Sequence, residues 1–446
     1  MSPRQFLGSL LVFVVVMAGG AMFLFAQFQS STASERDAAV ASFQQRAEKV
    51  ANRIATQYGA PDPDATAHAE TYALYESLFA LVKERLNENT TWRRVVDEGL
   101  LFKSWRTLSE EQVALLKETP LANQDLLETI RDVASRGGSF YPLDFSKGLG
   151  MELPHLAPLR ECARLLCANA ILSATEGRHS EAVEDILSGM KLADALTDEP
   201  VLISQLVRIA VHFNTTASVQ AAFAEGELPP DLARRIVDYA AEADHRQGFA
   251  DSIAGDGFLS IHTLKEMGLQ WLLDDDDSYP LGYVDWLYNS PFWAPWRNLD
   301  QKAHAQMMER LFDAAELVFY EAQPVLEEMG EAVERLPVTW VNTRILLPAL
   351  IRAPLAQARH EAMLDLLQMG LLLEVFYVET GQYPDTLEAI APQLGGAVPL
   401  EPFTGQPYHY SSTGDRFLLY SIGQNLQDDG SVHDHREGDI VWRGET

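Results

Sequence analysis

Cysteine is nearly absent: Cys162 and Cys167 are the two in 446 residues. No disulfide framework or zinc ribbon can be built from that, since both need several cysteines at fixed spacing. Five positions apart on a helix, the two side chains are rotated by about 140°. Their thiols then point apart, which disfavours a bond between them. Two small apolar side chains on a packed helix are expected. Basic residues are also scarce, with 34 Lys and Arg against 64 Asp and Glu, a net charge of −30. Such a surface repels phosphate backbones, whose affinity for proteins comes from basic groups releasing counterions, so nucleic acid is excluded as a partner. Anionic lipid headgroups would repel it too, whereas basic proteins and divalent cations remain compatible.

Catalytic signatures are missing as well. The chain has no Gly-x-Ser-x-Gly, His-Glu-x-x-His, P-loop or dinucleotide fingerprint. Its 11 histidines are scattered, and His155, His179, His212, His245, His262 and His304 have no evident partner nearby in sequence. A protein that is not an enzyme is therefore expected. The alternative is an extracytoplasmic hydrolase that uses carboxylates, because such chemistry needs only two suitably spaced acids and acids are abundant.

Long apolar runs are limited to one. From Phe6 to Ala26, 21 residues carry no charge. As a helix they would span roughly 31 Å, close to the hydrocarbon thickness of a bilayer. Arg4 precedes the run and Glu35, Arg36 and Asp37 follow it, so the positive-inside bias places the N-terminus in the cytoplasm and the remainder across the membrane. A cleaved signal peptide is the competing reading, since Ala18-Gly19-Gly20-Ala21 would suit a peptidase. Against it, Met22, Phe23, Leu24 and Phe25 continue the apolar character beyond that point. The second-best run, Ile345 to Ile351, is too short to span and ends at Arg352.

The body reads as helices. Ala39, Val40, Phe43, Ala47, Val50 and Ile54 recur at helical spacing and predict a stalk from Ser34 to about Gly59, ended by Pro61 and Pro63. A second helix is predicted over 70–87, with Leu74, Leu78, Leu81, Val82 and Leu86 on one side. Ser109-Glu110-Glu111-Gln112 is a capping box. Residues 137–142 and 148–158 read as loops. The clearest helical stretch is 159–223, three amphipathic segments separated at Glu176-Gly177 and near Pro200. Within it, Gly177-Arg-His-Ser-Glu-Ala182-Val-Glu-Asp-Ile186 resembles the second half of a tetratricopeptide repeat. The likeness covers about one repeat and implies stacked helical hairpins. Between Trp271 and Trp296, four tryptophans stand among Tyr279, Tyr283, Tyr288 and Phe292, punctuated by three prolines. An aromatic-packed connection is expected there, with a partner-binding surface as the other reading. Asp274 to Asp277 lacks the glycine and the final Glu of a calcium loop and reads as a solvated charge run.

From Gln357 the pattern changes. A helix through Ala358, Ala362, Leu366, Met369, Leu373 and Tyr377 should end at Gly381, before Pro384. A short helix from Asp385, a turn at 399–405, a hairpin around Ser412-Thr-Gly414-Asp415 and a last strand at Ile440-Val-Trp442 follow. The pieces Tyr377-x-x-x-Gly381-x-Tyr383-Pro384, Val398-Pro399-x-x-Pro402-Phe, Tyr420-Ser421-x-Gly423 and Asp439-Ile440-x-x-Trp442, in this order, resemble the periplasmic domain of the type II secretion major pseudopilin. The resemblance covers about residues 357 to 442. It implies a calcium loop before the last strand, with Asn425 and Asp439 at the family's acidic positions and a backbone carbonyl near Ile422. Asn425 brings no charge, and Asp428, Asp429 and Asp434 could supply the missing carboxylates, since calcium takes six to eight oxygens. His433 and His435 form a His-x-His of the kind that can bind transition metals but is common without them. The family's polymerisation leader is absent: Arg4-Gln5-Phe6-Leu7-Gly8 does not match it, so entry into a pilus by the usual route is not expected.

The expected protein is therefore mainly α: a membrane anchor over 1–33, a helical-hairpin body over 34–356 and a small C-terminal α+β module over 357–446. Whole-chain layout is similar to that of uncharacterised bacterial membrane-anchored proteins. The apolar run and its flanking charges lead us to expect a single-pass inner-membrane protein with a periplasmic body, and the missing catalytic signatures with the pseudopilin-like module lead us to expect a scaffold toward envelope or secretion-system proteins.

Overall fold

The computed structural model describes residues 3–58, 66–103, 105–137, 141–223, 228–242, 245–266, 288–430 and 438–443. They are mainly helical, with a small antiparallel sheet near the C-terminus. The expected anchor and stalk form one helix, α1 (Pro3–Arg46), of 44 residues. After a break at Ala47 the chain continues as α2 (Glu48–Arg53) and a π-helical turn over Ile54–Tyr58. Among the described residues no helix is long and apolar enough to cross a membrane. The side chains of 3–16, 18 and 19, which carry most of the expected span, lie outside them.

The remaining helices of the first half are α3 (Thr66–Leu86), α4 (Thr90–Asp97), α5 (Glu110–Ala122) and α6 (Gln124–Arg136). The capping box forms as read: Ser109 Oγ accepts from the Gln112 N–H at 3.3 Å, and Gln112 Oε1 accepts from the Ser109 N–H at 3.1 Å. The stretch 159–223 resolves into α7 (Leu156–Thr175), α8 (His179–Asp194) and α9 (Leu202–Ala222), consecutive antiparallel-type hairpin partners. Helix α7 starts earlier than expected, because Pro158 is accommodated in its first turn, where a missing N–H removes no helical bond. Cys162 and Cys167 are buried, free thiols on α7.

Three helices follow: α10 (Pro230–Glu242), α11 (His245–Glu266) and α12 (Ala294–Ala315). Helix α12 runs parallel to α1 at a constant offset. Lys302 reaches Glu35, Ser42 reaches Glu309 and Arg46 reaches Asp313, each 267 positions apart. Then come α13 (Phe319–Glu334) and α14 (Val341–Thr380). Asp300 of α12 does the capping at the start of α14: its carboxylate accepts from the N–H groups of Asn342 and Thr343 at 3.1 and 3.2 Å and from the Thr343 hydroxyl at 2.5 Å. Those N–H groups would otherwise be unsatisfied in a buried setting.

Helix α14 passes through Pro348 and Pro354 and across position 356/357, so the expected module boundary falls inside a continuous helix. Its second half belongs to an apolar core that runs from Tyr75 and α7–α10 into the module at Phe403, Tyr408, Phe417, Leu419 and Ile440. A separate core joins Phe43, Ala47 and Val50 to α11, α12, α13 and the first half of α14. Fully burying a side chain such as Phe43 stabilises the fold by about 1.5–3 kcal/mol, which ties the stalk to the body.

Strands β1 (His409–Ser412), β2 (Phe417–Ser421) and β3 (Ile440–Arg443) form a meander in sequence order. Ser412 faces Phe417, and the Thr413 N–H donates to the Arg416 carbonyl at 3.0 Å, closing the predicted hairpin. A register shift at Leu419/Tyr420 separates β2 from an ideal ladder with β3. Trp442 of β3 lies directly on Gly370 of α14, where an added Cβ would fall 2.1 Å from the indole Nε1. The sheet can approach the helix this closely because position 370 has no side chain.

Candidate functional site

The loop after β2 holds the residues expected to bind a cation. Gly423 turns the chain at φ +67°, with its Cα so close to the Gly438 carbonyl that a Cβ would sit 2.2 Å from that oxygen. Beyond it, Asn425 Nδ2 donates to Asp429 Oδ2 at 2.8 Å, and the Asp429 N–H donates to Asp439 Oδ1 at 3.4 Å. Asn425, Asp429 and Asp439 are thus linked, with Asp439 fully buried at the start of β3. Asp428 is drawn elsewhere: it accepts from the Tyr420 hydroxyl at 2.9 Å and the Gly430 N–H at 3.0 Å, and His409 approaches it at 3.7 Å. These donors hold its carboxyl below the usual range, led by the Gly430 N–H. Ile422 begins the turn, and Asp434, His433 and His435 lie outside the described residues. Among the described residues no group of three or more His, Cys, Asp or Glu side chains is arranged to hold a metal. Asn425, Asp429 and Asp439 alone fall short of the six to eight oxygens that calcium takes.

A second site was not anticipated. Helix α14 places Glu361 and Asp365 one turn apart on one face, which is the spacing at which helix side chains are neighbours. They line a 680 Å³ cleft that α10, α11 and the start of α13 share with the module near Gly395 and Pro402. Arg246, from α11, grips Glu361 with two hydrogen bonds of 3.1 and 3.0 Å. Asp365 Oδ2 accepts from the buried Tyr408 hydroxyl at 2.7 Å. Burial pushes the Asp365 carboxyl up to about 7, with the Tyr408 hydrogen bond opposing the shift. The module is held at this wall by the Tyr320 N–H, which donates to the Pro402 carbonyl at 3.0 Å, and by the Phe319 and Phe403 rings, 5.7 Å apart. The periodicity of α14 contains the Glu361/Asp365 pair; Arg246 and Tyr408 arrive from distant positions that no local pattern links to it.

A third cluster is a buried structural network. Asp194, at the end of α8, accepts at Oδ1 from Arg208 Nη2 and is 3.1 Å from His212 Nε2, while the Tyr239 hydroxyl donates to Oδ2 at 2.8 Å. Burial would raise this carboxyl, but the His212, Arg208 and Tyr239 contacts outweigh it and hold it far below the usual range. His212 in turn meets the His360 ring of α14, with centroids 5.0 Å apart. Histidines that looked unpartnered in sequence therefore have partners. His155 pairs with Glu199 at 3.0 Å and Ser260 lies 2.7 Å from His304. Burial lowers His304 to about 4 and shuts this Ser–His pair away from solvent, so it cannot meet a substrate.

No protein-family model, curated protein or solved structure matches this chain.

Proposed function

We propose that the protein is a non-enzymatic, membrane-tethered scaffold of the cell envelope, with its body on the periplasmic side and its C-terminal module built for contact with secretion-like or pilus-like envelope proteins. The observation that carries this reading is the continuity of α1. The same helix that contains the uncharged run Phe6–Ala26 goes on to bury Ala39 and Phe43 and to pair with α12 through Arg36, Arg46 and Glu35. A tether that merely linked a body to a membrane would need no such docking. The resemblance of the 357–442 segment to a pseudopilin periplasmic domain supports the choice of partner class. A reporter enzyme fused behind Thr446 should be active only outside the cytoplasm, and activity confined to the cytosol would overturn the placement. Crosslinking in membranes followed by pull-down should recover envelope proteins; recovery of the chain alone would count against a scaffold.

One observation favours a second reading. An acid whose carboxyl titrates near neutrality, one helical turn from a second acid and beside an arginine in an open cleft, is equipped for general acid chemistry. Screens of the full-length protein against glycoside and peptide substrates separate the two readings. Turnover that is lost in Asp365→Asn would establish the hydrolase; absence of turnover is the scaffold's expectation.

A further inference from the structure

The offset that relates α1 to α12 has a geometric result. Position 294, where α12 begins, lies level with residue 27 of α1, one residue past the end of the uncharged run. Both the new helix wall and the turn that feeds it therefore start where the run stops.

At that level a group of aromatic side chains stays exposed or half-buried beside the exposed polar Gln27, Ser30 and Asn289. Phe25 stacks on Phe292 with centroids 5.8 Å apart and planes 12° from parallel, and Phe28 meets Trp296 edge-on at 6.1 Å. Trp293 adjoins Trp296 at 5.7 Å. These rings do not close into a core, because Phe292 stays 61 % exposed and Phe28 43 %. On the N-terminal side, Met22, Phe23 and Leu24 are each more than 60 % exposed. On the other side the contact between α1 and α12 becomes polar within about two turns: the buried Asn298 bonds Thr32 and Arg36, and Lys302 bonds Glu35 nearer the surface. Apolar helix, aromatic ring and ionic clamp follow one another along a single axis. A lipid bilayer presents the same sequence of environments, and Trp and other amphipathic rings favour its headgroup boundary.

We propose that Phe25, Phe28, Phe292, Trp293 and Trp296 form an interfacial belt, seated in the headgroup–acyl boundary of the leaflet from which α1 emerges. The inference rests on the membrane-tether reading and adds to it: the body stands against the bilayer on α12 and does not swing freely. Its occupant is the lipid boundary, with net charge of little help, since the whole chain carries −30.

Spin labels on the full-length chain in phosphatidylcholine nanodiscs test this. Cys162 and Cys167 are buried and will not take up label, so Phe23→Cys, Phe292→Cys and Val338→Cys each report one position. Val338 is 81 % exposed on the α13–α14 connection and serves as the aqueous reference. The expected result is a Phe23 label accessible to oxygen and closed to a water-soluble nickel relaxant, with the Phe292 label several-fold less accessible to nickel than the Val338 label. A Phe292 label as open to nickel as Val338, with Phe23 still in lipid, overturns the belt and leaves the tether standing. A Phe23 label open to nickel overturns both. A Phe292 label closed to both relaxants, with spin–spin broadening, would mean that a second copy covers the patch and would also overturn the belt. In the unlabelled chain, lipids brominated near the headgroup should quench tryptophan fluorescence, and Trp293→Phe with Trp296→Phe should reduce the quenched fraction; an unchanged fraction refutes the proposal.

Discussion

Replacing Asp194 by alanine removes the carboxylate at the point where α8, α9 and α10 are tied together. Arg208, 2 % exposed, would keep its charge in the interior without this counterion, while His212 and Tyr239 would lose an acceptor. Breaking a buried ion pair from one side destabilises proteins by about 3–5 kcal/mol, far more than the pair is worth against an apolar replacement. Asp194 itself is 20 % exposed, so the lower end, about 3 kcal/mol, applies. With an unfolding entropy of about 2.1 cal/mol/K per residue, a chain of 446 residues should melt about 3 °C lower. Urea unfolding followed by circular dichroism gives the free energy directly. Adding Arg208→Met to Asp194→Ala should recover at least half of the loss, because the stranded charge is then gone. The pH dependence follows from the depressed carboxyl. The stabilisation is present above the unfolded value near 3.8 and disappears as pH falls below it toward the native value, so the gap between wild type and Asp194→Ala should shrink only in strong acid. A loss no greater than that from Glu331→Ala, which breaks an exposed i,i+4 pair with Arg335, would refute the reasoning.

Asp365 behaves in the opposite sense. Its native value near 7 exceeds the unfolded 3.8, so its contribution is complete in acid and lost as pH rises toward neutrality. Wild type should lose roughly 1–3 kcal/mol relative to Asp365→Asn between about pH 5 and pH 8; parallel stability curves would contradict this. If the terminal loop takes calcium with help from Asp434, calcium but not magnesium should raise the melting temperature, and Asn425→Ala with Asp439→Ala should abolish the rise. A rise that survives the double substitution rejects those ligands. Gly370→Ala would push a methyl into the Trp442 indole and should destabilise by about 1–3 kcal/mol in urea titrations; a neutral result would mean that β3 can move off α14 freely.

Local patterns carried a good part of the fold. The amphipathic segments read within 159–223 located α7 and α8 through apolar positions such as Leu165, Leu166, Ile171, Val183, Ile186 and Met190, although in the fold both helices are buried on nearly all sides, beyond the stripe. Ser109 and Gln112 announced the start of α5 since a capping box is made by residues three apart. The hairpin at Ser412–Phe417 was legible for the same reason: Gly414 and its neighbours satisfy the turn locally. One boundary and one side-chain arrangement were not legible. The module was expected to begin at Gln357, yet α14 starts at Val341 and runs through Pro348 and Pro354 into it, since packing of its flanking turns outweighs the single hydrogen bond each proline forgoes. The acids of the terminal loop read as one cluster, but Asp428 accepts from Tyr420 and Gly430 while Asp439 accepts from the Asp429 N–H.

By itself, then, the sequence determined what is encoded within a few residues: the uncharged run, the helical stripes, the caps and turns, and the acidic balance. Tertiary structure alone decided which distant groups meet. The parallel register of α1 and α12, the Arg246–Glu361 grip beside Asp365 and the Asp194 network join residues up to 267 positions apart. Their partners are selected by how whole helices pack, and helix packing is set by shape and burial summed over many side chains, which no short window of sequence contains.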